Sequence, residues 1–548
     1  MLTLIFVGCA AAFVVAYYTY GRFLERQFDV DDSRATPSHT DYDGVDRVPA
    51  HRAVLFGHHF SSIAGAGPIV GPIIAAVAFG WAAPLLWVLL GAIFVGGVHD
   101  FSALIASVRN RARSVAEIAR ESMSPLAYRL LLLFMWLALV YVLTCFADLT
   151  ATTFVQDGGV ATSACIFIAL ALAFGLCVYG LKIPVLWASL IFVPLVFVSV
   201  WLGQVVPIPA ASLDGFAGLT AVKAWSMVLI GYCLVASVTP VWILLQPRDY
   251  LSSFLLYASV LAGLLGIVFG GFDVKFPAYT VWNAADVGPL FPIVFITVAC
   301  GACSGFHSLV ASGTSSKQLD RERDARTVGY GAMLVEGLVA VIALATVMML
   351  SGDDPLRKQA PLTIYSHGVA KFGAVFGIPE TIGRSFGLLA LSTFILTTLD
   401  TATRLGRYIF EEFFQLRPGV SRYGATLATL ALPTAFVLLT LKDAQGNPVP
   451  AWKAIWPVFG ATNQLLAGLT LLVLAVWLRK TGRRNGFVLL PLAFMTVATL
   501  CALVLLIGQY QLSLIGLIAV VLLALAAVLI VESLRTIRFP GRGGRPSG

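Results

Sequence analysis

Charge is what this chain has least of. Asp, Glu, Lys and Arg make up 12% of its 548 residues, about half the share of an ordinary soluble domain. A globule so poor in charge cannot dress its surface for water, which excludes a soluble enzyme or binding module. No G-x-x-x-x-G-K-[ST] loop occurs, and no polar stretch is long enough to fold as a nucleotide-binding domain, so a pump carrying its own ATPase is excluded too. Cysteine is sparse. Cys9, Cys145, Cys165, Cys177, Cys233, Cys300, Cys303 and Cys501 all lie in apolar runs and are expected as core filler, not as an exported disulfide framework. Cys300 and Cys303 form a C-x-x-C with no second pair, so neither a zinc nor an iron–sulfur site is expected, and no cofactor is assigned. The formal charge of +8 does not point to nucleic acid, because the basic residues are dispersed in short loops.

What the chain has is apolar length. Hydrophobic residues account for 59% of it, arranged in runs of roughly 20, the length that crosses a bilayer core. The runs cover 2–20, 54–79, 82–107, 127–150, 161–180, 184–206, 224–246, 250–272, 290–312, 328–350, 383–403, 423–441, 454–478, 487–508 and 511–532. They predict an all-α, polytopic integral membrane protein of about 15 transmembrane helices. The first run lacks the basic flank and small-residue cleavage site of a signal peptide and is kept as a span.

Loop charge sets the orientation. Basic clusters occur at Arg109/Arg111/Arg113/Arg120, Lys317/Arg321/Arg323/Arg326, Arg404/Arg407/Arg417/Arg422, Arg479/Lys480/Arg483/Arg484 and from Arg535 onward. With fifteen spans all five fall on one side, which the positive-inside rule makes the cytoplasm, leaving the N-terminus outside and the C-terminus inside. The loop from Gly21 to Ala53 then faces the cytoplasm, either as a cap on the helix ends or as a solvated connector. Three regions are expected: 1–316 with two polar Gly-x-His motifs, 317–480, and 481–548 with terminal helices and a basic tail, PGRGGRPSG, that reads as disordered.

The stretch Val54–Pro72, VLFGHHFSSIAGAGPIVGP, is polar where its neighbours are apolar. It sets His58, His59, Ser61 and Ser62 beside Gly57, Gly65, Gly67, Gly71, Pro68 and Pro72. A helix with so many breakers in lipid must hand its freed backbone groups to a neighbour or a ligand. A second stretch, ACGACSGFHSLVASGTSSK from Ala299 to Lys317, shares Gly-x-His followed by Gly: Gly57, His59, Gly65 against Gly305, His307, Gly313. Lying seven places apart in the order of spans, the two run in opposite directions. That is the mark of an inverted repeat, although chance also supplies three matched positions, and a five-plus-five repeat would need inserted helices.

Ionisable groups inside the membrane are costly and usually have a task or a partner. The candidates are His58, His59, Asp100, Asp148, His307, Glu336 and Asp400. Asp148 and Asp400 are expected near helix ends, as caps or snorkelling groups. Asp100 is expected to be buried with His99. Glu336, apolar on both flanks, is the lone carboxylate best placed to exchange a proton, and the histidines suit the same work because they titrate near neutrality. A hydrogen-bonded structural role is the alternative for each histidine. Thr397/Thr398 and Asn463/Gln464 serve equally well as interhelical glue. A haem or copper oxidoreductase is a less favoured alternative, kept open by His58 and His59.

Several stretches resemble the carbon starvation protein A (CstA) family: YGRFLERQFDVDDSRATPSHTDYDGVDRVPAHRAVLFGHHFSSIAGAGPIVGP, VGGVHDFSALIASVRNRARSVAEIA, FPIVFITVACGACSGFHSLVASGTSSKQL, LDTATRLGRYIFEE and WPVFGATNQLLAGLTL. The resemblance spans Tyr20 to about Leu474. It implies a bacterial inner-membrane importer made in carbon starvation, associated with peptides and pyruvate and coupled to protons. It also implies the amino acid–polyamine–organocation (LeuT-like) core, an inverted repeat with broken helices. This chain lacks the C-terminal extension of the longer members.

The combined expectation is a secondary transporter, not an enzyme, whose partners are the lipid bilayer, a small carboxylate substrate (pyruvate or peptides) and H+. Gly65, Ala66, Gly67, Ser61, Ser62, Ser304, Gly305, Ser308 and Gly313 are assigned to the substrate through helix-end amides and small side chains. His58, His59, His307, Glu336 and Asp100 are assigned to proton coupling. A passive channel or a membrane starvation sensor is the competing class.

Overall fold

In hydrocarbon a peptide group has no water to bond to, so a crossing chain must satisfy its own backbone, and this one does so with helices. The computed structural model describes residues 1–548 apart from 45–46, 123, 241–242, 286, 417–420, 444–445 and 539–548. The tail expected to be disordered lies outside the described residues. Twelve helices among the described residues are long and apolar enough to cross a bilayer, and a bent pair, Arg52–Ile63 with Gly67–Phe79, makes a further crossing with a 45° bend. The interrupted pair Leu290–Thr297 and Gly305–Gly313 and the 18-residue helix Ser421–Leu438 bring the total in line with the expected fifteen or so. The protein is a multi-pass, all-helical membrane protein whose strands, among the described residues, amount to one short hairpin, Asn283–Ala284 against Gly288–Pro289.

Eleven elements position the site: α1 (Arg52–Ile63), α2 (Gly67–Phe79), α3 (Ala82–Arg109), α4 (Pro125–Gln156), α5 (Ala221–Val238), α6 (Leu245–Phe269), α7 (Leu290–Thr297), α8 (Gly305–Gly313), α9 (Arg326–Met348), α10 (Glu380–Phe413) and α11 (Ala451–Lys480). The first break falls where the sequence placed it. Ala64 leaves the helical region with ψ 62°, and α2 restarts at Gly67 with Pro68 in its first turn, where a missing N–H costs nothing. The second runs from Val298, at ψ 59°, to Ser304, which is extended before α8.

The two breaks lie against each other, and glycine is what permits it. A Cβ on Gly67 would stand 2.3 Å from Cys300 Sγ, and one on Gly71 would stand 2.2 Å from the Thr297 carbonyl oxygen. The packing around them is reciprocal. The half-helix α2 packs on α9, the span after the second break, while α8 packs on α3, the span after the first. Each of those two spans carries a π turn, Ala92–Gly96 in α3 and Arg326–Gly331 at the start of α9, and each turn contacts the other span. Six spans separate the breaks, so the broken crossings run in opposite senses. Exchanged partners and opposed direction together are the geometry of an inverted repeat.

The early loop is a cap, not a solvated connector. The Ala50 N–H donates to the Gln318 carbonyl, and Ser38 Oγ donates to the Leu319 carbonyl at 2.8 Å. Glu322, nearly fully buried, accepts the Asp31 N–H at 2.9 Å and two bonds from Arg109 at 2.8 and 3.1 Å. The loop thus ties the end of α3 to the segment just beyond α8. One expectation fails in part: Cys165 is exposed and Cys177 and Cys501 are half-exposed, so these three face outward from the bundle instead of filling its core.

The contact between the breaks is testable. Gly67→Ala is expected to lower the thermal midpoint of the detergent-solubilised protein, since overpacked sites typically lose ~1–3 kcal/mol. Cys300→Gly in the same chain removes both clashing atoms and is expected to recover most of the loss. A Gly67→Ala single variant as stable as the parent would show that the breaks do not touch.

Candidate coupling and binding site

Chain interruption frees backbone groups, and the structure shows where they go. The Gln464 side chain donates to the Phe295 carbonyl at 2.9 Å, Trp87 Nε1 donates to the Val298 carbonyl at 3.1 Å, and Asn463 Oδ1 accepts the Phe306 N–H at 3.0 Å. Asn463 also exchanges hydrogen bonds with Ser304, at 3.0 and 3.1 Å. The amide pair on α11 is therefore the partner that keeps the second break open. Asp148 is buried eight residues before the end of α4, not near it as expected, but it does cap a helix: its Oδ2 accepts the Trp452 N–H at 3.0 Å, in the first turn of α11.

The break in turn places His307, third residue of α8, between two carboxylates. Its Nδ1 lies 2.8 Å from Asp100 Oδ2 on α3, and its Nε2 lies 3.2 Å from Glu336 Oε2 on α9. His99 Nδ1 is 2.7 Å from the other oxygen of Asp100. All four side chains are fully buried. The Glu336 contact is an ion-pair approach, not an aligned hydrogen bond, and neither Glu336 oxygen has a hydrogen-bond partner among the described residues. One imidazolium can offset one carboxylate but not two. Asp100, His307 and Glu336, singled out separately in the sequence, are thus brought together as one buried cluster. His59, also fully buried, bonds Ser315 Oγ at 2.8 Å just beyond α8, and its Nε2 has no hydrogen-bond partner among the described residues.

Beside this group is a cavity of about 10 Å³ bounded by Gly65, Gly67, Cys300, Thr398 and the rings of Phe146, Phe306 and Phe459. That is room for roughly one water. Gly65 and Gly67 line the cavity, with buried Ala66 between them. The serines are spent elsewhere. Ser61 and Ser62 both donate to the His58 carbonyl, Ser308 donates to the Gly305 carbonyl and meets Thr470, and Ser304 belongs to Asn463. Gly305 allows α8 to approach α11, since a Cβ there would meet Ala467 N at 2.5 Å, and Gly313 ends α8 against Leu405.

A second charged network was largely missed. Arg248, on the first turn of α6, is fully buried and donates through Nη1 to Asp400 Oδ2 and through Nη2 to Asp249 Oδ1, the latter at 3.0 Å. Tyr232 of α5 donates to Asp400 Oδ2 at 2.8 Å and receives a bond from Arg248 at 2.7 Å. His58 Nδ1 stands 3.2 Å from Asp249 Oδ2. Asp400 was expected to cap or snorkel near a helix end. Instead it sits thirteen residues before the end of α10, 1% exposed, as the counter-ion of a guanidinium. The sequence signal was the charged pair Arg248–Asp249, which falls in the three-residue gap between the predicted spans 224–246 and 250–272 and was not singled out.

Asn463→Leu leaves the Phe306 N–H buried without an acceptor. A buried orphan of this kind costs about 1–3 kcal/mol, so a lower thermal midpoint is expected, whereas Asn463→Asp keeps the acceptor and should lose less. Equal losses in the two variants would count against the capping role.

Comparison with known proteins bears on what such a pair of networks serves. The family model described as carbon starvation protein CstA matches residues 1–362 and 352–502. The peptide transporter CstA of Escherichia coli (strain K12) is 32% identical over 572 residues, covering 91% of this chain and 80% of that protein. The pyruvate/proton symporter BtsT of the same organism is 30% identical over 588 residues, covering 91% and 81%. Among solved structures, MhsT in complex with L-phenylalanine aligns over 88% of this chain and 99% of its own, at 14% identity and a TM-score of 0.49.

Proposed function

This chain belongs to the carbon starvation protein CstA family, and from that premise we propose that it is a secondary active transporter that imports small carboxylates, peptides or pyruvate, by proton symport. It is read as a transporter and not as an enzyme, in keeping with its relatives. Its place is the bacterial cytoplasmic membrane, with the N-terminus outside and the C-terminus in the cytoplasm, as the loop charges require.

The observation that carries the proton half is His307 held between Asp100 and Glu336 at the meeting point of two broken helices. A carboxylate pair sharing one imidazole stores or gives up a proton with little rearrangement. Taking up that proton removes a buried negative charge and lowers the cost of moving the site toward the cytoplasm. His59 extends the same group toward the first break.

The substrate half rests on the cavity. The N-terminus of α2 begins at Gly67, on the cavity wall, and its positive end suits a carboxylate. Pyruvate and the C-terminus of a peptide both present that group.

Purified protein in liposomes given an inward proton gradient is expected to concentrate labelled pyruvate or a labelled dipeptide; a channel cannot concentrate anything. His307→Ala and Glu336→Gln are expected to reduce gradient-driven accumulation at least tenfold while inserting normally. Variants that accumulate substrate like the parent would sink the proton assignment, and a parent that accumulates neither probe would move weight to a sensor.

A further inference from the structure

The Arg248 network takes no part in the mechanism above, yet its construction is unusual. A guanidinium offers paired N–H groups that fit a carboxylate as a two-bond fork. Here neither partner takes the fork. Asp400 and Asp249 each contribute one oxygen, to different guanidinium nitrogens, and Tyr232 shares the Asp400 bond. Arg248 Nε and Asp400 Oδ1, both in fully buried side chains, have no hydrogen-bond partner among the described residues. Burying ions this deeply is expensive, and incomplete pairing makes it more so. A purely structural ion pair gains nothing from leaving donor and acceptor unmet.

The network adjoins the substrate cavity. Thr398, on the cavity wall, precedes Asp400 by two residues on α10. His58, which faces Asp249, lies one helical turn below Ser62, whose hydroxyl bonds its carbonyl. In the orientation given by loop charge, α1 and α6 both start, and α5 ends, on the cytoplasmic side, so the cluster lies on the cytoplasmic side of the breaks.

Resting on the symporter reading, we propose that Arg248 is the receptor for the substrate carboxylate on its way to the cytoplasm, and that Asp400 is an internal stand-in which the substrate displaces. The stand-in holds the guanidinium while the site is empty. An arriving carboxylate fills the fork that Asp400 leaves incomplete, while Asp249 keeps its bond to Nη2 and holds Arg248 in place. The ligand class is accordingly a molecule with a free carboxylate; neutral analogues of the same size are poor ligands.

This assignment makes substitutions on the two sides of one ion pair act in opposite directions. Asp400→Asn weakens the internal competitor and is expected to lower the KM for labelled pyruvate about tenfold, while Arg248→Lys, which loses the planar fork, is expected to raise it at least tenfold. Competition by pyruvamide should be weak in the parent and should gain on pyruvate in Arg248→Lys. A structural ion pair would instead lose function with both substitutions. If Arg248→Lys does not fold, Asp400→Asn decides alone: a lower KM supports the assignment, and an unchanged or higher one overturns it. Should the parent carry pyruvate poorly, labelled dialanine against its C-terminal amide is the same test. A parent that carries neither overturns the symporter reading, and this inference with it; a parent that transports while Asp400→Asn gains no affinity overturns the inference alone.

Discussion

An unpaired peptide group in hydrocarbon costs several kcal/mol, and that cost governs the centre of this protein. Two crossings are interrupted at mid-course, so the interruptions survive only because other elements accept what they expose. Gln464, Asn463 and Trp87 do so at the second break. Their presence explains why α11 is apolar over most of its length yet carries two adjacent amides. The same constraint explains the glycines. Each break must come close enough to the other for one buried region to serve both, and a side chain at Gly67 or Gly71 would push them apart.

Once the breaks are held, they supply what an unbroken helix cannot, which is short helices that start in the middle of the membrane. His307 sits on the first turn of one of them, so its ring lies between spans that carry Asp100 and Glu336. The π turns in α3 and α9 belong to the same construction. Each lies in the span next to a break, against its counterpart, and each precedes the carboxylate that its span contributes. A local widening of the helix shifts the register of the residues beyond it, and both acidic side chains come to face the same imidazole.

Most of this was legible in the sequence, for a physical reason. Apolar runs and glycine-proline breaks are local features, so the spans, the break at Gly65–Gly67 and the polarity of both His motifs are written in consecutive residues. The Gly-x-His match even named the two helices that pair. What could not be read was which polar groups meet across the bundle. Asp100, His307 and Glu336 stood out singly, but nothing in their spacing said they converge. Arg248, Asp249 and Asp400 were obscured by position: the first two sit at a helix start that looked like a loop, and the third is in the middle of a helix whose predicted end was set ten residues short. The serines misled in the other direction. Ser61, Ser62 and Ser308 look like ligands in sequence, yet in helices their hydroxyls fall back on carbonyls three or four residues earlier.

The two networks are joined by a single peptide bond. His58 faces Asp249 and the Arg248 cluster, while His59 faces Ser315, just past the helix that carries His307. Adjacent residues on a helix point about 100° apart, so α1 stands as a wall with one network on each side. Any displacement of α1 must disturb both contacts together. Ala64 and Gly65 separate α1 from α2, and both halves pack on α9, with α1 reaching across to α6 and α10 as well. Coupling between two buried clusters requires a shared element with two positions, not a wire of touching residues, and α1 is an element that touches both of these.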